Sequence, residues 1–169
     1  MRPAQPLLAA AAAVLAAAFA LPAPAQEGAA DPLERDRTQP VTNDTYVRLC
    51  TGCHIAYPPN FQTADAWQAI LDRLPEHFGA EVPVPAERDG QDLAQYLRDF
   101  AGRPGLGVLT GVEPDAVPLR ITELPFFAKA HAEVPDRALQ RAGGAWRCEA
   151  CHPRAQEGSF ERARAGGQK

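Results

Sequence analysis

The sequence predicts a mainly α-helical protein made of two small units, and three observations carry that prediction. A five-residue motif occurs twice, as Cys50-Thr51-Gly52-Cys53-His54 and Cys148-Glu149-Ala150-Cys151-His152, and it uses every cysteine in the chain. Apolar residues recur at helical spacing in several short stretches, and no stretch alternates as a strand would. The 17 prolines and 13 glycines keep those stretches short.

Each motif has the form Cys-x-x-Cys-His, which reads as a c-type haem attachment site. The two thiols add to the two vinyl groups of one haem, and the neighbouring His reaches the iron from the same turn. Two copies imply two covalently held haem c groups, bound through Cys50 and Cys53 and through Cys148 and Cys151, and hence one-electron chemistry. Three rivals are weaker. A dithiol redox pair needs no adjacent His, and certainly not twice. A four-cysteine zinc site assembled from both pairs would span a far longer stretch than a zinc ribbon does and leaves the repeated His unexplained. A disulfide across two intervening residues closes too short a loop to stabilise much.

The histidines sharpen the reading, because there are only four: His54, His77, His131 and His152. His54 and His152 belong to the motifs and are the expected proximal iron ligands. The single methionine is Met1, inside a segment expected to be removed, so His/Met ligation has no donor. His77 and His131 are the natural sixth ligands. Two bis-histidine haems would use all four, and without a thioether ligand both should be low-potential centres. His77 lies nearer His54 in the chain and His131 nearer His152, although separation alone leaves a crossed arrangement open.

The N-terminus reads as a secretory signal peptide over 1–25. Arg2 precedes an apolar run over 7–21, and Ala23-Pro24-Ala25 supplies a small-residue cleavage site. That run is too short for a strong membrane-span assignment, and no later stretch is apolar enough. The expected mature product is periplasmic. With Arg2 gone, 17 basic against 21 acidic side chains become 16 against 21. A chain this mildly acidic lacks the clustered basic face of a nucleic-acid binder. Two units this small need a staple, and covalent haem would supply it, so the haem-free chain should be loose or unfolded.

Along the chain, 26–40 reads as a flexible leader. A first helix starts at Asn43 or Asp44, both good N-caps, and delivers Tyr46, Val47, Leu49 and Cys50 toward the haem. Tyr57-Pro58-Pro59-Asn60 is a rigid stretch suited to wall one side of it. Thr63 caps a second helix whose Trp67, Ile70, Leu71 and Leu74 form one face. Pro75 breaks that helix just before His77. A third helix over about 86–101 places Leu93, Tyr96, Leu97 and Phe100 on a face and stops at Gly102 and Pro104. These three helices over 41–103 suit a unit like a class I cytochrome c. Residues 104–119, rich in Gly and Pro, read as a linker.

The second unit, 120–169, is expected to be a short, irregular helical haem domain. Pro125 opens a helix in which Phe127 and His131 share a face. Another helix over 136–142 ends at Gly143-Gly144, and a polar tail with Arg154, Arg162, Arg164 and Lys169 follows the second motif. The aromatic residues Trp67, Tyr96, Phe100 and Phe127 read as packing residues, and Trp146, beside the second motif, as a haem-packing one.

These residues resemble the dihaem cytochrome c family, abbreviated DHC. The likeness rests on Cys50 to His54 followed by Ile55, Ala56, Tyr57, Pro58 and Pro59, on Trp67, and on Leu74-Pro75-Glu76-His77-Phe78-Gly79. It continues through Leu119-Arg120-Ile121-Thr122-Glu123, Pro125-Phe126-Phe127 and His131, and closes at Cys148 to His152 with Glu157, Gly158 and Phe160. Leu124 and Phe126 stand where the family pattern suggests Thr and Tyr, and Gly79 to Pro85 matches poorly. The resemblance implies an electron carrier rather than an enzyme, with a class I-like N-terminal domain and an unusual C-terminal haem domain. It assigns Cys50, Cys53, His54 and His77 to one haem and Cys148, Cys151, His152 and His131 to the other. It also implies redox partners: a membrane cytochrome b as donor and a small oxygen-binding monohaem cytochrome as acceptor. The competing expectation is a dihaem peroxidase or a reductase of diatomic ligands, which would need an open iron.

Overall fold

The computed structural model describes residues 38–161. The signal peptide expected at 1–25, most of the leader, and the tail residues Arg162, Arg164 and Lys169 lie outside the described residues. Within them the fold is helical and has no strand; its one β-type contact is an isolated bridge between His77 and Ala80.

Helix α1, Asp44–Cys50, follows Asn43, whose own backbone is still extended. The Asn43 side chain accepts a hydrogen bond from the Tyr46 amide at 2.7 Å, satisfying a donor that the first turn cannot pair. Helix α2, Ala64–Leu71, starts the same way, with Thr63 Oγ1 accepting from the Ala66 amide at 3.1 Å. Its end is set by Pro75, whose ring would collide with the carbonyl four residues back if the helix ran on. That carbonyl belongs to Leu71, where α2 stops. Leu74 is therefore buried from a separate 3-10 turn, Leu74–Glu76, rather than from the helix.

Helix α3, Glu87–Asp99, packs across α1 and α2. Leu93 and Leu97 are buried against Tyr46, Ala56, Trp67 and Ala101, forming the main core. The Trp67 indole donates to the Pro59 carbonyl at 2.6 Å, and the Tyr46 hydroxyl donates to the Tyr57 carbonyl at 3.0 Å. Both bonds pin the proline-rich stretch after the first motif onto the core. Phe100 departs from the expected face. The helix ends at Asp99, Phe100 has left helical geometry (φ −104°, ψ 6°), and its exposed ring rests on Tyr96.

The stretch 104–119 contains a 3-10 turn, Gly107–Leu109, whose Leu109 is fully buried. Leu109, Val112 and Leu124 form a second, smaller core with Ile121 and Phe127 around it. Helices α4, Pro125–Ala130, and α5, Asp136–Arg141, follow, with Pro125 at the first helical position as its fixed φ favours. Neither helix buries a residue completely. The second motif lies on a 3-10 turn, Cys148–Ala150.

Contacts from both halves meet between them. The Tyr57 hydroxyl donates to the Trp146 carbonyl at 2.6 Å, and the rings of Phe61 and Phe160 sit 5.0 Å apart.

Candidate haem centres

The first centre grows from the end of α1. Cys50 is its last residue, and the chain then turns through Gly52 and Cys53 to His54. Burial pushes the Cys50 thiol up to about 11. The His54 Nδ1 lies 2.6 Å from the Ile55 carbonyl. A carbonyl oxygen can only accept, so Nδ1 carries the proton and Nε2 keeps its lone pair free. One face of the imidazole is covered by Tyr57, with ring centroids 4.5 Å apart and planes 15° apart.

Opposite His54 stands His77, its ring centroid 6.3 Å away and its plane inclined by 29°. His77 opens a tight turn closed by the Ala80 amide, which donates to the His77 carbonyl at 2.9 Å. Phe78 and Gly79 both have positive φ, 50° and 92°, as the two central residues of a type I′ turn must. Glycine adopts that geometry freely, whereas an L-residue pays roughly 1–2 kcal/mol. Burial lowers the His77 pKa, and the neighbouring His54 and Arg120 lower it further.

The second centre is built from α4 and the second motif. His131 caps α4, and its Nδ1 donates to the Phe127 carbonyl at 3.0 Å, which again leaves Nε2 free. The spacing of four places the Phe127 ring parallel to the imidazole, 4.0 Å away and 18° inclined. The ring of His152 lies 6.1 Å from that of His131, nearly perpendicular at 88°. Phe160 flanks His152 at 5.7 Å. Between them is a cavity of about 620 Å³ lined by His131, His152, Cys148, Cys151, Phe127 and Phe160 among others. Burial pushes the Cys148 thiol up to about 11, with Glu149 adding to it.

All four histidines are half-buried, and their rings face one another as His54 with His77 and His131 with His152. The two cysteine pairs do not converge: among the described residues no cluster of three or more His, Cys, Asp or Glu side chains could hold a bare metal ion. The fold carries Tyr57 and Trp146, both expected beside haem, into contacts across the halves, and it adds Arg120. Trp146 precedes the second motif, yet its ring lies 6.1 Å from that of His54 in the first centre. Tyr57 touches both halves. Arg120 lies over Phe78, 4.3 Å from the ring centroid. No periodicity signals these contacts, because each joins segments far apart in the chain.

Comparison with known protein families matches residues 46–160 to dihaem cytochrome c. The chain belongs to the dihaem cytochrome c family. Among solved structures it is similar to a dihaem cytochrome c from Rhodobacter sphaeroides, with 35% identity and a TM-score of 0.66 over 71% of this chain and 98% of that one. A second structure of DHC purified from Rhodobacter sphaeroides gives 33% identity and a TM-score of 0.59, covering 70% of this chain and 97% of that one. A dihaem cytochrome c from Shewanella baltica OS155 gives 32% identity and a TM-score of 0.58, covering 70% and 87%. A comparison with curated proteins finds no match.

As a dihaem cytochrome c, the protein carries two covalently bound haem c groups, and its four cysteines fit the two attachment motifs. The geometry of both centres fits this group. An imidazole nitrogen lies about 2.0–2.1 Å from a metal that it ligates, and the ring centre lies roughly 1.1 Å behind it, so two imidazoles holding one ion between them would put their ring centroids roughly 6.2–6.4 Å apart. The observed 6.3 and 6.1 Å agree with that spacing. The cavity at the second centre is also within the usual size range of cofactor pockets.

Proposed function

We propose that this cytochrome is a periplasmic one-electron carrier whose two irons are each held by two imidazoles, His54 with His77 and His152 with His131. One observation carries the reading: each attachment motif presents its His to a second histidine, with ring centroids 6.3 and 6.1 Å apart, the spacing at which both could hold one iron. Haem supplies the one-electron couple. The chain's own part is to hold the ligands, exclude competing ligands and set the potentials by ligand type and burial. Imidazole on both sides of each iron makes the potentials low. No substrate pocket is required, so the protein acts as a carrier and not as an enzyme.

Electrons pass between two adjacent centres, one in the unit 41–103 and one in 120–169, joined by 104–119. Their closeness is supported by Trp146, which lies two residues before Cys148 and has its ring 6.1 Å from that of His54. The donor is a quinone-linked membrane cytochrome b and the acceptor a small oxygen-binding monohaem cytochrome. Export through the segment 1–25 would bring the chain to the compartment where haem c is attached. No helix among the described residues is long and apolar enough to cross a membrane.

The test is the absorption spectrum of the reduced, exported protein before and after carbon monoxide is added. Two closed centres give sharp c-type bands that ignore the gas. H77A and H131A should each convert one haem, and only one, to a CO-binding form. A wild-type spectrum that shifts at once with CO would mean an open iron and favour a gas-binding or peroxidase chemistry.

A further inference from the structure

The turn that presents His77 contains a residue badly suited to it. Of its two positive-φ positions, Gly79 is conformationally free, but Phe78 is an aromatic L-residue at φ 50°. Asn, Asp or Gly would satisfy the backbone better. Nor does Phe78 gain a core position, since it is 44% exposed. Its ring instead touches two groups. The His77 imidazole meets it edge-to-face, at 4.8 Å between centroids and 64° between planes. Over it, 4.3 Å from the centroid, lies the Arg120 guanidinium from the other side of the 104–119 stretch. Arg120 is itself steadied by Glu123, at 3.5 Å.

We infer that Phe78 and Arg120 form a clamp that holds His77 in place as the sixth ligand of the first haem. The inference rests on His77 being that ligand. The guanidinium is attracted to the ring face, and the ring in turn blocks the imidazole from swinging out of the centre. Arg120 is a positioning residue: it acts on the iron's ligand through Phe78. Because it belongs to the second half of the chain, the clamp makes the closure of the first centre depend on how the halves are docked. Among the described residues, His131 has no such device. Its ring is held from within its own helix, by Phe127 and by the bond from Nδ1 to the Phe127 carbonyl.

Mixing reduced holoprotein with carbon monoxide in a stopped-flow cell tests this, because CO can enter only as fast as His77 leaves. R120Q, a change at an exposed residue, should raise that rate about three- to five-fold, and F78N about tenfold, given the usual strength of such contacts. F78N suits the turn backbone better than Phe, so faster CO entry there cannot be ascribed to added strain. R120K keeps the cation and should stay near the wild-type rate. The haem ligated by His131 should not respond in any of the three variants, which an H77A reference spectrum would establish by separating the two bands. Wild-type rates in both R120Q and F78N, with wild-type protein closed and H77A open, would overturn the clamp and leave the ligation standing. R120K as fast as R120Q would also overturn it. A wild-type protein that binds CO as readily as H77A would sink the ligation reading and the clamp with it.

Discussion

At the scale of single residues, the two centres use the same four chemical parts and differ in how the imidazoles are turned. The ring planes are 29° apart at the His54–His77 pair and 88° apart at the His131–His152 pair. Each orientation has a local cause. His54 is aligned by its bond to the Ile55 carbonyl and by the covering Tyr57 ring, while His131 is locked by Phe127 through both stacking and a hydrogen bond. Where each pair holds an iron, as proposed, near-parallel and perpendicular imidazoles would split its d orbitals differently. The oxidised protein should therefore show two distinct low-spin signals in frozen-solution electron paramagnetic resonance. The signal from the perpendicular pair should be the more anisotropic and should disappear in H131A. A single signal of doubled intensity would contradict the two geometries. The four candidate ligands stood out in the sequence because only four histidines exist to choose from. Their ring angles did not, since they depend on neighbours such as Tyr57 that only the fold brings close.

At the scale of elements, caps and breakers set the boundaries. Asn43, Thr63, Pro75 and Pro125 all act where their chemistry predicts, because capping and proline exclusion are local effects. Burial of the helix faces was less legible. Leu93 and Leu97 are buried as their spacing suggests, but Phe100 is not, because α3 ends one residue before it. A tight crossing lies at Gly102, just past α3, whose amide donates to the Gln62 carbonyl at 2.9 Å. A β-carbon there would run into the Asn60 carbonyl oxygen and come within 2.8 Å of Leu109 Cδ1. Backbone cannot yield as a flexible side chain can. G102A should destabilise the holoprotein by about 1–3 kcal/mol, as overpacking usually does. Denaturant unfolding followed by tryptophan fluorescence checks this, and an unchanged midpoint would mean that the crossing is looser than its geometry implies. The glycine reads in the sequence only as a helix stop, and its steric role follows from which segment α3 happens to meet.

At the scale of the whole molecule, the distribution of buried residues is uneven. The first half has a core of six buried residues from three helices, the stretch after the first motif and Ala101 just past α3, whereas the second core has three. Beyond Leu124, Ala155 is the one described hydrophobic residue in the buried core. A unit with so little apolar burial cannot offset the entropy of ordering its chain; covalent haem in the cavity between His131 and His152 must contribute the rest. In C148S/C151S, amides of 120–160 should exchange with solvent within seconds while α3 keeps its protection, as hydrogen-exchange mass spectrometry would show. Protection retained across both halves would mean that the second unit folds without its cofactor.

The sequence by itself determined the chemistry: two attachment motifs, four histidines and a single methionine at position 1, together with helices whose ends are written in caps and prolines. These are matters of residue type and short spacing, which act without reference to the rest of the chain. Only the tertiary structure decided which histidine faces which, how their planes are turned, and that Trp146, Tyr57 and Arg120 reach across to the other half. Those contacts join residues dozens of positions apart, and their geometry is set by how the helices and proline-bounded turns pack, which no local pattern encodes.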